Sequence, residues 1–266
     1  MIALPAHHLI AFNTATESDN KIHDDDVAGR FGFTGGLVPG VDVFAYLAHL
    51  PVQRWGRDWL SQGGIHAKFL KPVYDGDEAT AHGEMEDDER MTLSVTARGV
   101  LCATGGATRI ESGSAPAILP AAELCERTSR PKASPESLVP GAVLGMLHDV
   151  YLHDEGARHL HDVREDAALF DGGKIANPAW ILRRANYVLD ANVQLGPWIH
   201  TESRVRLHGL LEDGESFETR AVVAGNVEKG GHRIVELDIT IAAHERLIMS
   251  GKHWAIYEPR QVREKA

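Results

Sequence analysis

One pattern occurs twice in this sequence: an apolar helical stretch that opens at a proline, an Asp-Gly turn, and a series of strand-like segments. In the first copy, Pro39-Gly40-Val41-Asp42-Val43-Phe44-Ala45-Tyr46-Leu47-Ala48-His49-Leu50 and the following residues to 56 carry apolar side chains on nearly every helical face. That pattern predicts a helix buried on most sides. Strand-like segments follow at 65–74 and, after Asp75-Gly76, at 77–84, 91–98 and 100–110. Within them Thr92-Leu93-Ser94-Val95-Thr96-Ala97 alternates in polarity, as a sheet with one dry face requires. In the second copy, Asn177-Pro178 opens a helical stretch over 179–193, with proline at the favoured first turn. Strands are expected again at 199–211 and, after Asp213-Gly214, at 216–227, 232–242 and 246–257. Pro178 minus Pro39 is 139 and Gly214 minus Gly76 is 138, so two landmarks repeat at nearly one offset. Such recurrence argues for duplication. Between the copies, 111–140 contains Ser112-Gly113-Ser114-Ala115-Pro116, Pro120, Pro131 and Pro135 and reads as a linker. The expected organisation is therefore a first half over 1–110, a linker over 111–140 and a second half over 141–266.

Composition narrows the function classes. With 27 basic and 38 acidic residues the net charge is -11, which repels phosphate backbones and anionic lipid, so neither nucleic acid nor a membrane is an expected partner. The sequence has no apolar run long enough to span a bilayer, and its N-terminal residues lack the pattern of a signal peptide. Two cysteines, Cys102 and Cys125, do not make a disulfide framework, and a reduced, cytoplasmic setting is expected. Against the acidic background, Lys68, Lys71, Arg183, Arg184, Arg204 and Arg206 can form a local basic rim for an anionic group such as coenzyme A.

The segment ahead of the first helix holds the densest chemistry. It reads Ser18-Asp19-Asn20-Lys21-Ile22-His23, then Ala28, then Gly35-Gly36-Leu37-Val38-Pro39-Gly40. These residues, with the tandem order of elements, resemble the MaoC-like family, which includes the R-specific enoyl-CoA hydratases. The resemblance implies an α+β fold, a tandem or double hotdog of two antiparallel sheets each wrapped around a central helix. The family's hydratase signature runs Gly-Asp, any residue, Asn-Pro, an aliphatic residue and His. Asn20, Ile22 and His23 match it, whereas Ser18 stands at the place of the catalytic Asp and Lys21 at that of the proline. Asp19, one position nearer the histidine, is the candidate replacement acid.

His23 is the expected acid/base, because an imidazole takes and returns a proton near neutral pH and here has Asp19, Asp24 and Asp25 nearby. Alternatively, Asp24-Asp25-Asp26 is simply the acidic first turn of a short helix. Asn20 is a candidate to orient the histidine or a water, or an ordinary turn residue. Gly40 opens the central helix, where free amides polarise a thioester carbonyl; equally, a glycine there permits close packing. Ser18, Val38 and Phe44 are expected around the pocket, although Phe44 and Tyr46 also suit a packed core.

His148, His153, His159 and His161 lie among acids in the second half without a ligand pattern, so no metal is expected and that half is read as non-catalytic. The reading is a hydro-lyase that reversibly hydrates an enoyl thioester, with coenzyme A or an acyl carrier as part of the substrate and no separate cofactor. A non-catalytic acyl-ligand binder and an acyl-CoA thioesterase are the alternatives. Oligomeric state stays open between a single chain that mimics a hotdog dimer and a homodimer or higher assembly.

Overall fold

The computed structural model describes residues 2–15, 20–23, 28–29 and 33–263. The apolar stretch after Pro39 forms helix α1, Gly40–Gln62, whose residues from Val41 to Ala48 are all buried. It runs beyond the expected end, bending at Gly56, where φ is 67°, before the Gly63 N–H closes it by donating a hydrogen bond to the Trp59 carbonyl. Strands β1 (Ile2–Ala3) and β2 (His7–Ile10) precede it, and β3 (Gly64–Phe69), β4 (Glu78–Met85), β5 (Arg90–Ala97) and β6 (Val100–Thr108) follow. Burial alternates residue by residue along β4 and β5, so one face packs on the helix and the other meets solvent.

The second half begins with β7 (Leu147–Val150) and helix α2 (His153–Asp162), followed by helix α3 (Pro178–Asn192) and strands β8 (Ile199–Leu207), β9 (Ser216–Lys229), β10 (His232–Ala243) and β11 (Arg246–Glu258), with α3 packed on β9 and on α1. A last short helix, α4, spans Arg260–Arg263. The sheet order is β1-β4-β5-β6-β3-β8-β11-β10-β9-β7, with β2 also on β4. Read outward from its middle, β3-β6-β5-β4 on one side mirrors β8-β11-β10-β9 on the other. The two half-sheets thus join into one, through an antiparallel seam that sets Gly64 opposite Arg206 and Lys68 opposite Glu202.

Small contacts repeat with the large ones. Gly76 and Gly214 take φ of 77° and 81°, the left-handed conformation that favours glycine. Their amides bond to Ala11 and Tyr151 carbonyls, each at 2.8 Å. The preceding aspartates repeat as well: Asp75 accepts the Asn13 amide and Asp213 the His153 amide, each at 2.7 Å. The short strands β1, β2 and β7 give too brief a period to be read from sequence. Residues 111–126 have no regular structure and cross the second half, where Leu119 bonds to Thr240 and Arg220. Among the described residues no helix is long and apolar enough to cross a membrane.

Candidate active site

His23 ends a short 3-10 turn, Lys21–His23, held over the start of α1. Its Nδ1 lies 2.6 Å from the Leu37 carbonyl oxygen, so this nitrogen carries the proton and donates it. Nε2 is left as the basic nitrogen, and the Asn20 amide approaches it at 3.4 Å. Burial lowers the pKa of His23, while the Leu37 carbonyl and Asp42 act in the opposite sense and Arg183 reinforces it. The ring is therefore neutral near pH 7, and its Nε2 lone pair, approached by the Asn20 amide, is the proton acceptor.

Asn20 is clamped by the other half of the molecule. Its Nδ2 donates to the Trp198 carbonyl at 2.9 Å, and its Oδ1 accepts the Trp198 amide at 3.3 Å. An Asn13 amide holds the His23 carbonyl at 3.0 Å from the first-half side. The candidate base thus stands on a loop pinned to both halves.

Two cavities meet at this loop. One, of about 590 Å³, is lined by His23, Val38, Gly40, Val43, Tyr74 and His200 among others. The second, of about 430 Å³, includes Thr14, Arg183, Asn186 and Asp190. Asn20, His23, Pro39, Asn186 and Trp198 belong to both walls. A larger concavity of about 860 Å³ lies over β3, β6, β8 and β11, away from His23. Three of the cations in its lining are paired, Arg204 with Glu202, Lys252 with Glu236 and Asp238, and Arg90 with Asp87.

At Gly40 the cavity meets the N-terminus of α1. Pro39 supplies no capping side chain, and because Asp42 and Val43 already donate to the Pro39 carbonyl, the amides of Gly40 and Val41 are the ones left for a ligand. Asp42, within the first turn, is completely buried. It pairs with Arg183 of α3 and accepts the Thr14 hydroxyl at 2.6 Å. Burial pushes the Asp42 carboxyl up, and Arg183, Thr14 and His23 oppose that rise.

The expected site residues separate into groups. His23, Asn20, Val38 and Gly40 come together on one cavity wall. Phe44 does not reach it: this side chain is fully buried in the core, and Val43, one helical step away, lines the cavity instead. Ser18 and Asp19, like Asp24 and Asp25, lie outside the described residues. Of the expected basic rim, Lys71 lines the first cavity and Arg183 the second. The three remaining arginines point to other partners: Arg184 stacks on Trp180 and pairs with Asp149, Arg204 pairs with Glu202, and Arg206 donates to the Ser114 carbonyl.

Sequence reasoning passed over Asp42, Asn186, Trp198 and His200. Asp42 had left a trace, as the one acid in the otherwise apolar stretch 40–48. The other three come from the second half, and only the fold brings them to His23. In that half, His153 pairs with Asp154 and His161 with Asp162, while His159 is buried. No cluster of three or more His, Cys, Asp or Glu side chains suited to a metal occurs among the described residues.

The architecture is a double hotdog, shared with several solved structures. A MaoC-like dehydratase aligns over 96% of this chain and 98% of its own, with TM-score 0.60 and 13% identity. A double-hotdog protein of Mycobacterium tuberculosis, described as essential for bacterial survival during infection, covers 96% and 95% with TM-score 0.63 and 11% identity. A protein of Lactobacillus plantarum named as an oleoyl thioesterase covers 96% of both chains, with TM-score 0.54 and 8% identity. No protein-family model and no curated protein matches the sequence. At these identities the likeness defines the fold, and the chemistry must be argued from the site.

Proposed function

We propose that the protein is a hydro-lyase that reversibly adds water to the double bond of a 2-enoyl thioester. The observation that carries this reading is the presence of two groups in the lining of one cavity: the neutral His23, with Nε2 unprotonated, and the uncapped first turn of α1 at Gly40. Hydration needs both. His23 takes a proton from water as the water oxygen bonds to C3. Negative charge moves to the thioester oxygen, where the Gly40 amide and the positive end of α1 stabilise it. The imidazolium then returns the proton to C2, so that one water is added and the base is regenerated. Asn20 orients the reacting water or the ring. Lys71, at the same cavity, suits the anionic carrier of the acyl group.

The test follows enoyl-CoA substrates of several chain lengths by loss of the conjugated thioester absorbance, with thiol release measured in parallel. His23→Ala is expected to lower the hydration rate by about 10²–10⁴-fold, the usual contribution of a positioned acid/base. In the wild type, kcat/KM should fall as pH drops through a pKa below 6.5, because burial holds His23 below that value and the neutral ring is the active form. Normal turnover by His23→Ala would remove the site assignment. Thiol release without hydration would favour a thioesterase, and saturable binding with no turnover an acyl-ligand binder.

A further inference from the structure

His200 lies on β8 in the second half, yet it abuts the first residue of α1. A Cβ added at Gly40 would sit 2.9 Å from His200 Nδ1. This nitrogen is buried on a residue only 5% exposed, lies at the cavity wall and has no hydrogen-bond partner. The opposite nitrogen is engaged: His200 Nε2 lies 2.8 Å from Ser203 Oγ, which lies 3.1 Å from His253 Nδ1. The two imidazoles also stack, with ring centroids 4.2 Å apart, and the Phe69 ring meets His200 edge-on.

This chain of groups has a preferred direction. His253 Nε2 is buried without a partner. Either direction leaves one outer N–H without a protein partner: on His253 Nε2 it would be sealed in a residue with no exposure, whereas on His200 Nδ1 it stands at the cavity wall, where a ligand oxygen can accept it. With the proton on Nδ1 instead, His253 donates to Ser203, and Ser203 donates to His200 Nε2. His200 must then carry its own proton on Nδ1, beside Gly40. Burial and the neighbouring His253 keep His200 far below its ordinary pKa, and the Glu202 backbone opposes them only in part. His253 is itself lowered to about 3 by burial. Both rings are neutral at physiological pH.

We propose that His200 is a neutral hydrogen-bond donor that binds the substrate carbonyl together with the Gly40 amide, and that Ser203 and His253 are positioning residues fixing its tautomer. The inference rests on the acyl-thioester reading above and deepens it: the carbonyl pocket is built from both halves of the chain. A neutral imidazole suits a site where charge develops only in transit, since it donates without presenting a fixed positive charge to the open helix end.

The test compares two ligands that differ only at the carbonyl, butyryl-CoA and the thioether S-butyl-CoA, by calorimetric titration of the full chain. Wild type is expected to bind the thioester about tenfold more tightly than the thioether, the size of one well-placed hydrogen bond. His200→Phe keeps the ring volume and should cut that preference several-fold, leaving the part that the Gly40 amide supplies. Ser203→Ala should reduce the preference and move the wild-type ¹⁵N signal of His200 Nδ1 away from its protonated position. An unchanged preference in His200→Phe overturns the donor role and leaves the thioester reading standing. Failure of wild type to bind either ligand overturns both. If His200→Phe fails to fold, the wild-type ¹⁵N spectrum decides: a protonated Nδ1 supports the assignment, and an unprotonated one overturns it.

Discussion

The two central helices begin in opposite ways. Helix α3 is sealed: Asn177 caps it by accepting the Ala179 amide at 2.8 Å, and Pro178 occupies the first turn. Helix α1 has Val38 where α3 has Asn177, Gly40 where it has Ala179, and Asp42 where it has Ile181. The capping oxygen is gone, a missing side chain opens the approach, and a buried acid reaches across to Arg183. One copy closes its helix end with a capping side chain, and the other begins without one.

Substitutions can break this contrast from either side. The largest effect is expected from Asp42→Asn, which leaves the buried Arg183 charge without its counterion and should destabilise the fold by about 3–5 kcal/mol. Denaturant unfolding would measure it, and an unchanged midpoint would contradict the pairing. Gly40→Ala forces a methyl toward His200 and should cost about 1–3 kcal/mol through overpacking, with a matching loss of acyl-thioester turnover. If that variant is both stable and active, the close approach is not needed. The smallest effect is expected at the closed end: Asn177→Ala removes a cap and should cost about 1 kcal/mol in thermal unfolding with hydration unaffected. A loss of activity there would mean that the second helix end also takes part.

The duplicated order was legible because it is written in periodicity. Alternation over 92–97 and over 235–241 marks half-buried strands, and a continuous apolar run marks α1. His23, Asn20 and Gly40 were legible because they are close in sequence and follow a motif. Trp198, Asn186 and His200 were not, since nothing local in a strand or helix records which loop it will face across a seam of β3 and β8. Phe44 illustrates the opposite limit. Its helix could be read, but one residue is about 100° of rotation, and that rotation put Val43 on the cavity and Phe44 in the core.

The β3–β8 seam also bears on symmetry. In an assembly of two identical chains, any change at one helix entrance is copied at the other, so a cap and an open ligand site could not be chosen separately. Covalent fusion lifts that constraint. It also holds the halves together at a fixed effective concentration, so a pocket made from His23 on one side and His200 on the other survives dilution that would separate a weak dimer.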